Sequence, residues 1–264
     1  MTAPRTIPLT IGRLLLVPAP LDFGCASQAP LDAVLPSATL QQAARLTHWV
    51  CENAKSCRAY LKRIDAFTPL AAPLQAQDIR ELPRQVHKKG DHAGGGAAAW
   101  NAQALLEPLL HGHDMGLVSE AGMPAVADPG SSVVRAAHDI GATVVPLVGP
   151  VSLLLALAAS GLNGQSFAFH GYLPQDGAER SQQIRQWESL SLKSGQAQIF
   201  IETPYRNPAL WQALLATLQP GTRLAVASGL TLADAAIQSR SVADWRGRAW
   251  LPDKHIPTVF AFGQ

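Results

Sequence analysis

The sequence predicts an α/β protein with two α/β domains, residues 8–164 and 165–264. Short apolar runs, such as Met115–Val118 and Thr143–Val148, end in clusters of glycine and proline and are followed by helical patterns. That is the order of a strand, a loop and a helix. The order restarts after residues 163–165, and a chain of 264 residues is long enough to build two cores. These observations together favour a two-domain chain.

The first domain is expected to alternate strands with helices. Further strands are predicted at Gly12–Val17 and Thr47–Cys51, because apolar residues fill these short runs. The helical patterns of this half lie at Leu40–Leu46, Ser56–Phe67, Ala97–Leu110 and Val151–Ser160.

A long polar region with several prolines, Thr68–Gly96, separates two of these elements. Its centre, Arg80–His92, carries two arginines, two lysines and two histidines. Two interpretations stay open for this segment: a solvated excursion, or a basic loop that contacts an anionic substrate.

The second domain is expected to finish with antiparallel strands. Its predicted strands are Ser166–Gly171, Gln198–Ile201, Arg223–Ala227, Ile237–Ser241 and Thr258–Phe262. Its predicted helices are Ala178–Leu190 and Asn207–Leu218.

The composition favours a globular protein of the cytoplasm. Hydrophobic residues make up 47% and charged residues 15% of the chain, with a net charge of +2. No apolar run is long enough to span a bilayer, and no secretory signal is evident, so no membrane association is expected. The three cysteines are odd in number and form no CxxC pair, which predicts reduced thiols and no metal site.

The segment Gly116–Gly161 contains two successive strand–loop–helix units whose loops hold the unusual residues. Ligands of open α/β sheets bind at the carboxyl ends of strands, and loops of glycine and proline let bare backbone approach a ligand. The alternative is ordinary turn chemistry, with Asp128 near a helix N-cap.

Several nucleotide and hydrolase motifs are absent from the sequence. There is no GxGxxG, no GxxxxGK[ST] and no GxSxG. The segment His111–Asp114 has no third ligand at zinc-like spacing, so we interpret it as a turn.

Six segments match the motifs of one known family in order, along nearly the whole chain. They read LLLVPAPL, WVCENAKSCRAYL, LVSEAGMPAVADPG, VVPLVGPVSLLLALAASGL, FHGYLP and IFIETPYR. They are similar to VPTPIGNL, the segment around EDTR, SDAGTPxISDPG, VVPLPGPxAxxxALxxSGL, FxGFLP and IFYESPHR. The chain thus resembles the tetrapyrrole methylase superfamily of S-adenosylmethionine-dependent methyltransferases. Within it, the chain is most similar to the branch that methylates the 2′-hydroxyl of a cytidine ribose in 16S ribosomal RNA.

This resemblance implies two α/β domains of the tetrapyrrole methylase type, with S-adenosylmethionine in a cleft between them, in a homodimer. Backbone groups of glycine and proline loops can hold the adenine, the methionine tail and the sulfonium with few charged side chains. By position, the implied cofactor residues are Pro18, Gly122, Met123, Pro124, Val126, Val151, Ser152, Ile201, Ala227, Ser228 and Pro257.

The substrate side departs from the family pattern. Asn53 and Lys55 stand at the Asp and Arg of EDTR, and Gly229 and Leu232 at the Glu and Lys of RELTK. Asp22-Phe23-Gly24 replaces the GNL of the opening motif. The acceptor therefore stays open between ribosomal RNA and a tetrapyrrole or other small molecule, and a non-catalytic S-adenosylmethionine-binding protein is a further alternative.

A ribose hydroxyl needs a base nearby, because it is a poor nucleophile while protonated. The carboxylates at strand ends are Glu52, Glu120, Asp128 and Glu202, and we take Glu120, Glu202 and Arg206 as the candidate catalytic residues. Glu202 and Arg206 could equally form a structural ion pair. Candidate phosphate contacts are Lys88, Lys89, Arg180 and Arg206.

Overall fold

The computed structural model describes residues 10–83 and 101–264, and it divides them into two compact units. The first unit holds the described residues up to Phe23 and those within Pro30–Pro150. The second holds Gly24–Ala29 and Val151–Gln264. Each unit is built around its own five-stranded sheet, so the predicted α/β class is confirmed.

The sheet of the first unit is entirely parallel. Its strands are β1 (Leu14–Val17), β2 (His48–Cys51), β3 (Asp78–Glu81), β4 (Met115–Val118) and β5 (Val144–Pro146), in the spatial order β3-β2-β4-β1-β5. The inner strands β1, β2 and β4 are almost wholly buried, because helices cover both faces of a parallel sheet. All five strands therefore end at one edge of the sheet.

The first unit contains two short helices, three longer ones and two 3-10 turns among its described residues. The helices are α1 (Leu31–Val34), α2 (Ser37–Ala44), α3 (Ala54–Phe67), α4 (Glu107–Leu110) and α5 (Ser131–Asp139), and the 3-10 turns are Leu74–Ala76 and Ala102–Leu106. Asn53 starts α3 because its side chain accepts hydrogen bonds from the amides of Lys55 and Ser56.

Close packing between β2 and β4 requires glycine at position 116. Trp49 and Gly116 are register partners, and Trp49 is fully buried. A Cβ atom on residue 116 would lie 2.5 Å from the Trp49 ring. The glycine therefore provides the space that the indole occupies in the core.

The sheet of the second unit is mixed, as its antiparallel finish predicted. Its strands are β6 (Phe167–Tyr172), β7 (Ala197–Ile201), β8 (Arg223–Ser228), β9 (Ala236–Ser241) and β10 (Thr258–Gly263), in the order β6-β7-β10-β8-β9. Only β6 and β7 are parallel, and the other pairs are antiparallel.

Four helices belong to the described residues of this unit: α6 (Ser152–Ser160), α7 (Gly177–Ser194), α8 (Asn207–Thr217) and α9 (Val242–Arg246), with a 3-10 turn at Pro204–Arg206. Its core is aromatic: Phe200, Phe260 and Phe262 from the sheet pack with Trp211 and Trp245 from the helices. Trp211 and Trp245 meet edge to face, the geometry that aromatic quadrupoles favour.

The contacts divide the chain at Pro150/Val151, whereas the sequence pattern placed the domain boundary at 164/165. The reason is α6, which packs on β8, β9 and β10 of the second sheet. The nearly all-apolar sequence of α6 predicts that the helix is buried, but it does not indicate which of the two sheets the helix packs on.

Two predictions in the region before β4 were wrong. The polar region Thr68–Gly96, in which no regular element was predicted, contains the 3-10 turn Leu74–Ala76 and the strand β3. The strand β3 is polar because it lies at the sheet edge, where side chains stay half-exposed. The predicted helix Ala97–Leu110 is, from residue 101 onward, a 3-10 turn followed by α4, which begins where Pro108 occupies its first turn. Lys88 and Lys89 lie outside the described residues.

Candidate functional site

The carboxyl-terminal edge of the first sheet brings four loops together. They follow β1, β2, β4 and β5, which are adjacent parallel strands. The residues concerned are Pro18–Asp22, Glu52–Asn53, Ser119–Gly130 and Leu147–Pro150. This is the edge at which open α/β sheets bind ligands.

The loops after β1 and β4 are joined directly to each other. The amide of Ala19 donates to the carbonyl of Gly122 at 2.9 Å, and the amide of Gly122 donates to the carbonyl of Ala19 at 3.0 Å. Gly122 has a φ of +73°, a conformation that glycine adopts without strain. The predicted cofactor residues Pro18 and Gly122 are thereby held on two hydrogen-bonded loops.

The loop after β5 approaches Pro18 from another side. A Cβ atom on Gly149 would lie 2.3 Å from Cγ of Pro18. Only glycine lets this backbone come so close to the proline ring. The three loops therefore form a cradle of backbone and small side chains.

The loop after β4 also contains strained backbone. Ala125 and Ala127 have φ values of 63° and 66°, a region that residues with a side chain rarely occupy. Such conformations persist only where the surrounding structure imposes them, and they cluster at functional sites. Met123, Pro124 and Val126 lie in this strained loop, where Pro124 is buried and Val126 is exposed.

Helix α3 fixes the loop after β1 through two side chains that sequence reasoning missed. The buried hydroxyl of Tyr60 donates to the carbonyl of Pro18 at 2.7 Å. The guanidinium of Arg63 pairs with both carboxylate oxygens of Asp22, each at 3.0 Å, and Asp22 is only 3% exposed. Asp22, a departure from the family pattern, therefore has a positioning role through this bidentate pair.

Three carboxyl groups come together at the same edge. Burial, together with the negative charges of Glu52 and Glu120, raises the pKa of Asp128 to about 7. The hydroxyl of Ser56 lies 3.0 Å from a carboxylate oxygen of Glu120. The structure thus brings together Glu52, Glu120 and Asp128, which the sequence had placed only at separate strand ends.

In the second unit, the predicted residues Ile201, Ala227, Ser228 and Pro257 meet at one edge of the sheet. Val259 of β10 pairs with both Ile201 and Ala227. The hydroxyl of Ser228 lies 2.9 Å from that of Thr258. The amide of Gly229 donates to the carbonyl of Pro257 at 3.0 Å, which joins the two segments. Val151 and Ser152 begin α6 in this unit.

Glu202 and Arg206 form the ion pair that sequence reasoning left open as the alternative to catalysis. A guanidinium nitrogen of Arg206 lies 2.9 Å from a carboxylate oxygen of Glu202. The other oxygen of Glu202 accepts a hydrogen bond from the Thr203 amide at 2.8 Å. Both oxygens are therefore occupied within the turn that follows β7.

Asn207 supports the same edge from inside the unit. It is fully buried, and its amide nitrogen donates to the carbonyl of Ile256 at 3.1 Å. Its side-chain oxygen has no hydrogen-bond partner among the described residues. The sequence offered no signal for this role, because Asn207 reads as an ordinary helix start.

Two other features were not found in the described parts of the chain. Within 10–83 and 101–264, no group of three or more histidine, cysteine or acidic side chains could hold a metal ion. Within the same ranges, no helix is both long and apolar enough to cross a bilayer.

Comparison with known proteins identifies the family of this two-unit fold. The family model of the tetrapyrrole (corrin/porphyrin) methylases matches residues 38–244. The chain belongs to this family, which confirms the resemblance inferred from its motifs.

Among its relatives are two proteins named ribosomal RNA small subunit methyltransferase I. The Vibrio cholerae protein is 36% identical over 143 residues, which are 54% of this chain and 48% of the relative. The Bacillus subtilis protein is 40% identical over 102 residues, 39% of this chain and 34% of the relative. In both alignments the chain spans less than half of the relative's length.

The crystal structure of the methyltransferase CobJ shares the fold. It has a TM-score of 0.57 and 17% identity, and the match covers 96% of this chain and 94% of that one.

Proposed function

We propose that this chain is an S-adenosylmethionine-dependent methyltransferase whose acceptor is a ribose 2′-hydroxyl of 16S ribosomal RNA. Membership of the methylase family and the names of its relatives support the activity and the acceptor. The two hydrogen bonds between the backbones of Ala19 and Gly122 are the main structural support, because they hold two candidate cofactor loops together.

The first sheet's edge fits a ligand of this chemistry. S-adenosylmethionine supplies an activated methyl group on a sulfonium cation. The backbone cradle around Pro18, Gly122 and Gly149 suits close approach of an uncharged part of the ligand. The carboxylates of Glu52 and Glu120 provide negative charge, which attracts a cation. Met123, Pro124 and Val126 complete the proposed contacts in this unit.

For the second unit, the family resemblance implies cofactor contacts of its own, and we propose the edge of its sheet for them. Val151, Ser152, Ile201, Ala227, Ser228 and Pro257 are the proposed cofactor residues there. The Ser228 and Thr258 hydroxyl groups and the Gly229–Pro257 hydrogen bond keep these backbones in fixed register. A site whose backbone is fixed in advance loses little conformational entropy when a ligand binds.

Glu120 is the residue that we propose as general base. Its contact with Ser56 orients the carboxylate at the strand end, where a proton from a ribose hydroxyl could be accepted. Glu202 and Arg206 are proposed to act through their ion pair, with Arg206 presented to an anionic acceptor. Most of the rate enhancement would come from holding the acceptor in line with the methyl group.

On the basis of the resemblance, we also propose that the protein is a homodimer and that it acts in the cytoplasm, where ribosomal RNA is found.

A non-catalytic S-adenosylmethionine-binding protein is the second candidate, and the turn after β8 favours it. Gly229 and Thr231 have positive φ values of 62° and 72°, and Leu232 is buried. Positions 229 and 232, where the family pattern has glutamate and lysine, therefore present no charged group.

The test is methyl transfer from radiolabelled S-adenosylmethionine to small-subunit ribosomal RNA that lacks the modification. We expect label in RNA with the wild-type chain and a loss of about a hundredfold or more with Glu120→Gln, because general bases contribute about that factor. Labelled RNA with equal rates for both proteins would remove Glu120 as the base. No label, despite cofactor binding, would favour the second candidate or a small-molecule acceptor.

A further inference from the structure

A surface groove of about 420 Å³ lies on the second unit, between α7 and the connection from α8 to β8. On one side it is lined by Arg185, Glu188, Ser189, Leu192 and Lys193 of α7, and on the other by Thr217, the last residue of α8, and Gln219 of the connection. None of these residues belongs to the candidate cofactor or catalytic set.

The groove presents two exposed cations on one side of a helix. Arg185, Ser189 and Lys193 are spaced by four residues, so they lie on neighbouring turns of α7. Arg185 and Lys193 are separated by about 12 Å along the helix axis. Neither cation forms an ion pair with an acidic side chain anywhere in the described parts of the chain. Their charge is therefore available to a ligand.

Glu188, the acidic residue of the groove, is used to build its wall. It is 3% exposed, and one carboxylate oxygen accepts hydrogen bonds from the Gln219 amide at 2.8 Å and from the Thr222 hydroxyl. These bonds fix Gln219 opposite α7. The carboxylate lowers the net charge of the groove, but it is turned to the interior, whereas the two cations are at the surface.

Two further cations add to the positive potential next to the groove. The guanidinium of Arg246 donates to the carbonyls of Leu215 and Leu218, on either side of Thr217. Arg223 begins β8 and donates to the carbonyl of Ser239. Both use only neutral acceptors among the described residues, so their charges are not cancelled by a bonded carboxylate.

The position of the groove argues for an extended ligand. Gln219 and Thr222 come just before β8, which begins at Arg223. The candidate residue Ser228 is the last residue of the same strand. A six-residue strand spans about 20 Å, so the loop side of the groove and the candidate edge lie at opposite ends of β8. A ligand that occupies both the groove and the candidate edge must therefore be extended, as a strand of nucleic acid is.

We propose that this groove binds the phosphate backbone of the RNA acceptor, at a distance from the site of methyl transfer. The inference rests on the proposed function. The groove is lined by two cations, two hydroxyl groups and one side-chain amide, and by no aromatic side chain on which a base could stack. It is therefore suited to contact phosphate groups and not bases. Its role is to add affinity and to orient the acceptor on the second unit.

The experiment measures binding of a fluorescein-labelled single-stranded RNA by fluorescence anisotropy over a series of salt concentrations. The test protein is the double variant Arg185→Ala/Lys193→Ala. The matched control is Arg45→Ala/Lys62→Ala, which removes one guanidinium and one ammonium from exposed positions of the first unit. Calorimetry with S-adenosylmethionine and circular dichroism are recorded for all three proteins, so that folding and cofactor binding are followed separately.

We expect the test variant to bind RNA roughly ten- to thirtyfold more weakly at about 0.1 M salt, with a salt slope shallower by about 1.4, because two phosphate contacts are lost. Its affinity for S-adenosylmethionine should equal that of the wild type. If test and control variants bind RNA equally, the groove is not a phosphate contact, although the RNA acceptor stands. If the wild type binds the cofactor but no RNA even at low salt, both the groove and the RNA acceptor are refuted.

Discussion

Replacement of Asp128 by asparagine should make the stability of the folded protein less sensitive to rising pH. The carboxyl group of Asp128 has a pKa of about 7 in the folded chain, because it is buried beside Glu52 and Glu120. In the unfolded chain its pKa is about 3.9. Between these values the folded state holds a proton that the unfolded state has lost, so stability falls as the pH rises towards 7. Asparagine keeps the shape of the side chain and removes this dependence.

The magnitude follows from the two pKa values. Between pH 5 and pH 8 the free energy of unfolding of the wild type should fall by about 2 kcal/mol relative to that of Asp128→Asn. This value allows for the solvent that still reaches the carboxyl group. Above pH 7 the difference should level off, because Asp128 is then charged in both states. The stability of the variant relative to the wild type should therefore be lower at pH 5 than at pH 8.

The measurement is urea-induced unfolding at pH 5 and pH 8, followed by tryptophan fluorescence. The control is Asp139→Asn, which makes the same substitution at an exposed carboxyl group at the end of α5. If Asp128→Asn differs from the wild type by the same amount at both pH values, Asp128 is not protonated in the folded state. The electrostatic description of this edge would then be wrong.

Two further substitutions test the packing around the candidate site. Tyr60→Phe leaves the carbonyl of Pro18 without its buried hydrogen-bond donor, so it should lower the free energy of unfolding by about 1–3 kcal/mol. We also expect weaker binding of S-adenosylmethionine in calorimetry. An unchanged affinity would show that this loop does not position the cofactor. Gly116→Ala would place a Cβ atom 2.5 Å from the Trp49 ring. Overpacking of this kind costs about 1–3 kcal/mol, which thermal unfolding would detect, and an unchanged melting temperature would contradict the described core.

The strands of the first sheet were predicted best where they are apolar and central. The structure reproduces the predicted strand Met115–Val118, because a run buried on both faces has a clear sequence pattern. Asp78–Glu81 was missed because an edge strand can be polar. The interruption before α4 follows from Pro108, whose position in the first helical turn the sequence alone did not reveal.

For the candidate site, the sequence motifs predicted the loops that would bind the cofactor, but they did not predict the residues that hold these loops in place. Pro18 and Gly122 were expected from the family resemblance, and the structure joins their loops by hydrogen bonds. Tyr60 and Asn207 were missed, because each acts on backbone that is distant in the chain, Pro18 in one case and Ile256 in the other. Such contacts are created by tertiary packing and leave no local pattern.

Calorimetric titration with S-adenosylmethionine tests cofactor binding, on which the proposed methyltransferase activity depends. We expect saturable binding that persists in EDTA, because none of the proposed contacts uses a metal ion. We also expect clear weakening by Pro124→Glu, which would place a charged side chain in the loop after β4. Binding by the wild type and loss in this variant would support the assignment of the Gly122–Val126 loop. No heat of binding at millimolar S-adenosylmethionine would contradict the proposed methyltransferase activity at its first step.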